Sequence, residues 1–142
     1  MFNLLVTDVM ANETALYLDP ELSVADAARL MAEKNTGAAM VVEQGHLVGI
    51  FTERDALFRV VAKGLDTRQT PLHAVMTRDP MTVAPMRSYG HALVMMQEHG
   101  FRHAPVVVDG KPVGIVSSRN AMDPELEEFA SEANRRLHMR ET

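Results

Sequence analysis

The sequence predicts an α/β fold in which one small unit occurs twice. The phrase GIFTERD, Gly49 to Asp55, returns 65 positions later as GIVSSRN, Gly114 to Asn120. The same displacement pairs Ser23 with Ser88, so the repeat extends well beyond the phrase. Each copy also contains apolar positions with the period of a helix and with the period of a β-hairpin. Repetition at this scale indicates two related half-domains.

Each copy is predicted to begin with a short strand and a helix. In the first copy, SVADAARLMAEKN places apolar residues between Val24 and Met31 at helical spacing. Ser23 and Asp26 have the S-x-x-D spacing of a capping box, which predicts the helix start.

A β-hairpin and a second helix follow in each copy. AAMVVEQGHLVGIFT contains two β-rich runs separated by EQG, and APVVVDGKPVGIVS places Asp109-Gly110 at the equivalent turn. ERDALFRVVAKG then has helical period and is closed by Gly64. The predicted order is therefore strand, helix, strand, strand, helix.

The two units are expected to pack together through their small sheets across a pseudo-twofold axis. A unit of about 60 residues buries too little apolar surface to be comfortably stable alone. The predicted boundaries are 1–64 for the first unit, 65–71 for a linker, 72–123 for the second unit and 124–142 for an additional C-terminal helix and tail.

Composition excludes several classes of function. Hydrophobic content of 46% and charged content of 23% are ordinary for a globular protein. A net charge of -5 without a Lys/Arg cluster argues against nucleic acid or an anionic membrane as partner. The interior has no apolar run long enough to span a bilayer, and the N-terminus has no secretory signal. A cytoplasmic location is expected.

Metal binding and catalysis are not expected. Without cysteine the chain has no thiolate zinc site and no thiol nucleophile. His99 and His103 have i,i+4 spacing, but Gly100 between them is more typical of a helix end. The phosphate-binding loop, nucleophile elbow and zinc-protease motifs are missing from the sequence.

The strand-to-helix junction in GIFTERD is the candidate binding site. Thr52 offers a hydroxyl and Asp55 a carboxylate, which suits two vicinal hydroxyls such as those of ribose. Arg54 could meet a phosphate, and Gly49 would let a flat ring lie close to the strand. T-x-x-D is equally the pattern of a helix cap, so the residues alone leave capping and ligand binding open.

The tandem arrangement resembles a CBS-domain pair, or Bateman module, of the stand-alone bacterial type. The motifs that carry the resemblance are VM before the first strand, SVADAARLM and SYGHALVMM as first helices, AAMVV and HAPVVV as strands, and the two closing phrases. GIFTERD matches the family's G-h-x-[ST]-x-x-D signature at every fixed position. The resemblance covers about residues 6–122.

This resemblance implies a regulatory module that binds an adenosyl ligand in the cleft between its units. AMP, ADP, ATP, NAD and S-adenosylmethionine are the ligands it implies, with no metal required. Such modules usually form homodimers, and this chain would then signal to a protein effector in trans.

The resemblance also implies roles for individual residues. Asp55 would take the ribose hydroxyls and Thr52 the ribose or phosphate, with Arg54 a weaker candidate. The residues that correspond to the family's adenine and phosphate wall are Gly37, Ala38 and Ala39 in one copy and Arg102, His103, Ala104 and Pro105 in the other. Arg102 and His103 could supply positive charge, although His103 equally suits a structural role.

The second phrase keeps Ser117 but departs from the signature at Asn120. A neutral amide should hold a diol less tightly than a carboxylate, by about 1 kcal/mol or more. Asn120→Asp is therefore expected to strengthen this site.

The alternative function is a structural module that acts by dimerisation and binds no nucleotide. Its candidate dimer face consists of Leu57, Phe58, Val61, Leu93 and Met96, although burial within one chain would explain the same residues. Most methionines are expected to be core residues, among them Met31, Met40, Met95 and Met96.

Overall fold

The structure is a computed structural model that describes residues 4–122. The predicted C-terminal helix in 124–142 lies outside the described residues. Contacts divide the chain into two compact units. The Asp55 unit contains residues 14–81 and 109–112, and the Asn120 unit contains residues 4–13, 82–108 and 113–122.

The chain contains both helices and short strands, and the predicted α/β class is confirmed. The α-helices are α1 Val6–Met10, α2 Val24–Glu33, α3 Glu53–Asp55 and α4 Tyr89–His99. The strands are β1 Tyr17–Leu18, β2 Ala38–Glu43, β3 His46–Thr52, β4 Thr77–Arg78, β5 His103–Val108 and β6 Lys111–Ser117. A π-helix spans Ala56–Val61, and 3-10 helices span Leu72–Ala74 and Ser118–Met122. No helix in 4–122 is long and apolar enough to cross a membrane.

The Asp55 unit contains a four-stranded sheet in the order β1-β2-β3-β4. β1 is parallel to β2, and β2 and β3 form the predicted antiparallel hairpin. β4 pairs antiparallel with β3 through Gly49 and Ile50 and was not predicted. Its two residues are too short a run to show strand alternation in the sequence.

Both hairpins turn through the same two-residue conformation. Gln44 and Gly45 have φ of 51° and 79°, and Asp109 and Gly110 have the same pair of values. Two consecutive positive φ angles give the turn that matches the twist of paired strands. The predicted turn positions are confirmed.

The start of α2 is capped from two sides. Ser23 Oγ accepts a hydrogen bond from the Asp26 N–H at 3.1 Å, as the capping motif predicts. The Val24 N–H donates to the Thr70 carbonyl at 2.9 Å. The segment predicted as a linker, 65–71, therefore satisfies a backbone donor that the first turn of a helix leaves open.

The helix after Asp55 is wider than predicted. α3 passes directly into the π-helix, in which the Ala62 N–H donates to the Leu57 carbonyl five residues earlier at 2.9 Å. Apolar spacing does not distinguish a single π-turn from an α-helix, so the sequence showed only that a helix forms. Gly64, predicted to close this helix, has a φ of 67°.

The Asn120 unit repeats this plan with shorter elements. β5 and β6 form its two-stranded sheet, and a single parallel bridge between Val83 and Val106 stands where β1 pairs with β2 in the other unit. Ser88 caps α4, which ends at Gly100 with a φ of 74°. Gly100 therefore ends the helix between His99 and His103, as the sequence indicated.

Each packing unit combines most of one sequence copy with the opening segment of the other. α1, which opens the first copy, packs in the Asn120 unit, where the Val6 N–H donates to the Arg87 carbonyl at 2.8 Å. The segment that opens the second copy packs in the Asp55 unit, where the Leu72 N–H donates to the Leu22 carbonyl at 2.9 Å. The predicted boundaries follow the sequence repeat, whereas the contacts follow this exchange.

The glycine that opens each doubled phrase makes room for a methionine of the exchanged segment. A Cβ on Gly49 would lie 2.5 Å from Met76 Sδ and 2.9 Å from the Thr77 carbonyl oxygen. A Cβ on Gly114 would lie 2.8 Å from Met10 Sδ. The space over Gly49 that the sequence offered to a ligand ring is therefore filled by Met76.

Each unit has its own hydrophobic core. The buried core of the Asp55 unit comprises Leu18, Val24, Ala27, Met31, Ala39, Val41, Phe51, Val60, Leu72, Val75 and Met76. That of the Asn120 unit comprises Leu4, Val6, Val9, Val83, Tyr89, Ala92, Met96, Ala104, Val106 and Val116. Met31, Met40 and Met96 are buried and Met95 packs against the core, so the predicted role of these methionines is confirmed.

We expect Gly49→Ala to lower the free energy of unfolding by about 1–3 kcal/mol, because overpacking against the Thr77 backbone forces the sheet to shift. Gly114→Ala is the matched control. The three atoms nearest to its added Cβ all belong to the flexible Met10 side chain, so the loss should be smaller. Thermal unfolding measures both, and equal losses would contradict this account of the glycines.

Candidate functional site

The predicted capping box at the end of β3 is formed. The Asp55 N–H donates to Thr52 Oγ1 at 3.2 Å, and the Thr52 N–H donates to Asp55 Oδ2 at 3.1 Å. The Thr52 hydroxyl also donates to Oδ2 at 3.2 Å. Capping therefore uses one carboxylate oxygen of Asp55, and ligand binding would depend on the other.

Oδ1 of Asp55 contacts two groups that were not among the predicted site residues. The Thr77 hydroxyl donates to Oδ1 at 3.1 Å, and Arg59 Nε lies 3.4 Å from the same oxygen. Arg59 also donates through Nη1 to the Met76 carbonyl at 3.0 Å. Asp55 is only 6% exposed, whereas the Arg59 side chain is about half exposed. Thr52, Asp55, Arg59 and Thr77 are called the Asp55 cluster below.

The i,i+4 spacing of Asp55 and Arg59 is a signal that could have revealed this ion pair. Thr77 follows Asp55 by 22 positions and reaches it only because the opening segment of the second copy packs in the Asp55 unit. Local sequence has no signal for such a contact.

The residues predicted around the start of β2 lie beside the end of β3, at this junction. The Gly37 carbonyl accepts the Glu53 N–H at 2.9 Å, and Ala38 stands opposite Thr52 in the β2–β3 register. Ala39 is fully buried in the core of the Asp55 unit. Ala38 is buried as well, so Gly37 is the one residue of these three that is partly exposed.

Arg54 lies over an aromatic ring. Its guanidinium carbon lies 4.7 Å from the centroid of Phe58, a cation–π contact. Both side chains are exposed. The structure thus holds Arg54 at the surface of this helix, on the side occupied by Phe58.

The second phrase builds a related polar cluster in the Asn120 unit. The Ser117 N–H donates to Asn120 Oδ1 at 2.8 Å, and the Asn120 amide Nδ2 donates to Glu13 Oε2 at 2.7 Å. Ser117 and Asn120 are both buried. Glu13 was not predicted, since 107 positions separate it from Asn120. Ser117, Asn120 and Glu13 are called the Asn120 cluster below.

The backbone of this junction copies the first. The Ser118 N–H donates to the Arg102 carbonyl at 2.9 Å, as Glu53 does to Gly37. Arg102 is exposed and His103 is half-buried at the start of β5, while Ala104 and Pro105 are buried. In the part of the chain described by the structure, no three His, Asp or Glu side chains are grouped to hold a metal ion.

A family model describes both halves of this architecture. The CBS domain model matches residues 6–62 and again residues 72–124. The chain belongs to the CBS-domain family.

Relatives of this CBS pair occur among curated proteins and solved structures. It is 38% identical to the CBS domain-containing protein YhcV of Bacillus subtilis over 112 residues. The match covers 79% of this chain and 79% of YhcV. Among solved structures, the CBS domain protein PAE2072 of Pyrobaculum aerophilum, complexed with AMP, has a TM-score of 0.77 at 25% identity, covering 90% of this chain and 99% of its own.

A second solved relative carries different adenosyl compounds. The CBS domain pair of protein MJ0100, in complex with 5-methylthioadenosine and S-adenosyl-L-methionine, has a TM-score of 0.74 at 26% identity. The match covers 83% of this chain and 96% of that one. Both ligands share the adenosyl group with AMP.

Tyr89 supports the Asn120 cluster of the CBS pair from the core. Its hydroxyl donates to the Ser117 carbonyl at 2.6 Å. Burial raises the pKa of Tyr89 to about 12, the Glu13 carboxylate adds to the rise, and a hydrogen bond with the Ala121 backbone partly offsets it. The neutral phenol is therefore the form that the fold stabilises.

We expect the CBS pair to lose stability as the pH rises from about 10 to about 12. A tyrosine in the unfolded chain has a pKa near 10, whereas the pKa of folded Tyr89 is about 12. The stabilisation is therefore complete below pH 10 and is lost progressively as the pH rises to about 12. Tyr89→Phe should flatten this dependence. It should also cost about 1 kcal/mol below pH 10, since the Ser117 carbonyl loses its donor.

Denaturant unfolding across this pH range measures the effect. A Tyr89→Phe variant with the same alkaline slope as the wild type would show that another group causes it. Tyr17, the second tyrosine, also has a raised pKa through burial and remains in the variant as an internal reference.

Proposed function

We propose that this CBS pair is a regulatory module that binds an adenosyl ligand at the Thr52–Asp55 motif and signals to a protein partner without catalysis. The observation that carries the proposal is the Asp55 carboxylate, held by its own capping box at the junction where the signature places it. The AMP complex of PAE2072 and the S-adenosylmethionine complex of MJ0100 support an adenosyl group as the shared ligand chemistry.

Ligand binding at Asp55 would be an exchange of hydrogen-bond partners. A carboxylate has about four acceptor positions, and Thr52, Thr77 and Arg59 occupy most of them. The two ribose hydroxyls would replace Thr77 and Arg59 on Oδ1 while the capping bonds to Oδ2 remain. Because bonds are replaced rather than lost, the buried carboxylate stays satisfied in both states.

The exchange gives the ligand a physical route to a signal. Thr77 belongs to β4, and Arg59 ties the π-helix to the Met76 carbonyl just before β4. Releasing both would loosen β4 from the helix, and the ligand would favour that arrangement by its difference in affinity for the two states. Arg54 at the surface and the Gly37 backbone would then contact the rest of the nucleotide.

We expect AMP, ADP, ATP, NAD or S-adenosylmethionine to raise the unfolding temperature of the wild type. A ligand at about a hundredfold its dissociation constant adds roughly 2.7 kcal/mol of stability. Asp55→Ala should remove the part of the shift that arises at the Thr52–Asp55 motif. It should also lower stability without ligand, because a cap is lost.

Ser23→Ala separates these two effects. It removes the side-chain cap of α2 in the same unit, at a cost of about 1 kcal/mol, without touching the Asp55 cluster. It should keep the full ligand shift. The nucleotide proposal fails if none of the five compounds shifts the wild type, or if Asp55→Ala retains the whole shift.

Dimerisation is the second candidate function, favoured by an exposed apolar surface on the π-helix. Leu57, Phe58 and Val61 are exposed to 55%, 54% and 66%. Of the other residues predicted for this face, Leu93 packs against the core of the Asn120 unit and Met96 is only 1% exposed. The inclusion of Met96 in the face was wrong, because its helical spacing fits the core equally well.

We expect the chain to be a dimer whose association depends on this surface. Phe58→Glu should shift the molar mass measured by light scattering toward the monomer, because a charge would be desolvated in an apolar contact. Met86→Glu is the matched control, since Met86 is 71% exposed outside the surface. A monomeric wild type, or an equal effect of both substitutions, would contradict dimerisation through the π-helix.

A further inference from the structure

In both units, the last residue of the doubled phrase bonds to a side chain of the exchanged opening segment, but donor and acceptor are reversed. In the Asp55 unit, the phrase supplies the carboxylate and Thr77 of the segment donates to it. In the Asn120 unit, the phrase supplies the donor, the Asn120 amide, and Glu13 of the segment supplies the carboxylate. A carboxylate is therefore present at each junction, on the doubled phrase in the Asp55 unit and on the opening segment in the Asn120 unit.

The orientation of the Asn120 amide follows from its surroundings. Its oxygen must face the Ser117 N–H, 2.8 Å away, because the amide nitrogen has no lone pair to accept that bond. The Ser117 hydroxyl lies 3.3 Å from the same oxygen. Nδ2 is then directed at Glu13, and the buried amide presents little acceptor capacity to a ligand.

The Glu13 carboxylate retains the capacity that Asn120 lacks. Asn120 Nδ2 donates to Oε2 at 2.7 Å. The Ser117 hydroxyl lies 3.4 Å from the same oxygen, and its single proton can go either there or to Asn120 Oδ1. These neighbours use at most about half of the acceptor positions of a carboxylate. Glu13 is half-buried, so the rest of the group is not enclosed in the core.

We propose that Glu13 supplies the carboxylate of a second adenosyl site, where it takes the vicinal hydroxyls of the ribose, and that Asn120 is the residue that positions it. The choice of an adenosyl ligand rests on the proposed function, whereas the pairing of Glu13 with Asn120 can be tested without any ligand. It also reverses the expectation that Asn120→Asp strengthens this site. An aspartate at 120 would place two carboxylates within about the 2.7 Å that now separates Nδ2 from Oε2.

The pairing is tested by a charge swap in the absence of ligand. Asn120→Asp should lower the unfolding temperature by several degrees, because the two like charges repel at close range. The double variant Glu13→Gln with Asn120→Asp should recover most of that loss. A glutamine amide can donate to the new carboxylate, as the Thr77 hydroxyl donates to Asp55. An Asn120→Asp variant as stable as the wild type, or additive losses in the double variant, would overturn the pairing.

The ligand role is tested by calorimetry with AMP in an Asp55→Ala background. This substitution disables the Thr52–Asp55 site and leaves the second site intact. Glu13→Gln should weaken AMP binding there by about tenfold or more, the difference between a charged and a neutral acceptor. The double variant with Asn120→Asp should recover binding, because a carboxylate is restored at the junction. Glu98→Gln, an exposed site on α4 in the same unit, is the control and should bind as the background does.

The outcomes separate this inference from the proposed function. If the wild type binds AMP but the Asp55→Ala variant binds none, or if Glu13→Gln binds as well as Glu98→Gln, Glu13 is not a ligand residue while the Thr52–Asp55 proposal stands. If the wild type binds no AMP, the proposed function fails for this ligand, and the role of Glu13 fails with it.

Discussion

The architecture of both candidate sites depends on one backbone donor at the end of a strand. The N–H of Thr52 and the N–H of Ser117 each come at the point where the chain leaves the sheet for a helix, and each needs an acceptor. In both units the side chain three residues later supplies it, from Asp55 and from Asn120. An aspartate and an asparagine can both meet this requirement, because each presents one oxygen to the N–H.

The remaining atom of each side chain then decides what its junction does. In Asp55 it is a carboxylate oxygen, which attracts the Thr77 hydroxyl and the Arg59 guanidinium. In Asn120 it is an amide nitrogen, which requires an acceptor and finds Glu13. A single change of residue type therefore reverses the polarity of the contact with the neighbouring segment while the strand-to-helix geometry stays the same.

How much of this could be predicted depends on how local each interaction is. The helix caps, the turns at Gln44-Gly45 and Asp109-Gly110 and the capping box of Asp55 involve residues at most three positions apart, so spacing and residue type predicted them. The contact between Gly49 and Met76 and the pairing of Glu13 with Asn120 depend on the exchange of opening segments between the two packing units. A repeat shows that two segments are alike and does not show which copy each one packs against.

In the proposed function, Asp55 exchanges its partners on Oδ1 for the hydroxyls of a ligand while its capping bonds persist. A crystal structure of the protein grown with AMP tests this most directly. Both ribose hydroxyl oxygens should lie within hydrogen-bond distance of the Asp55 carboxylate, with Thr77 and Arg59 displaced from Oδ1 and the Thr52 N–H still bonded to Oδ2. AMP bound elsewhere, with the Thr77 and Arg59 contacts intact, would contradict it.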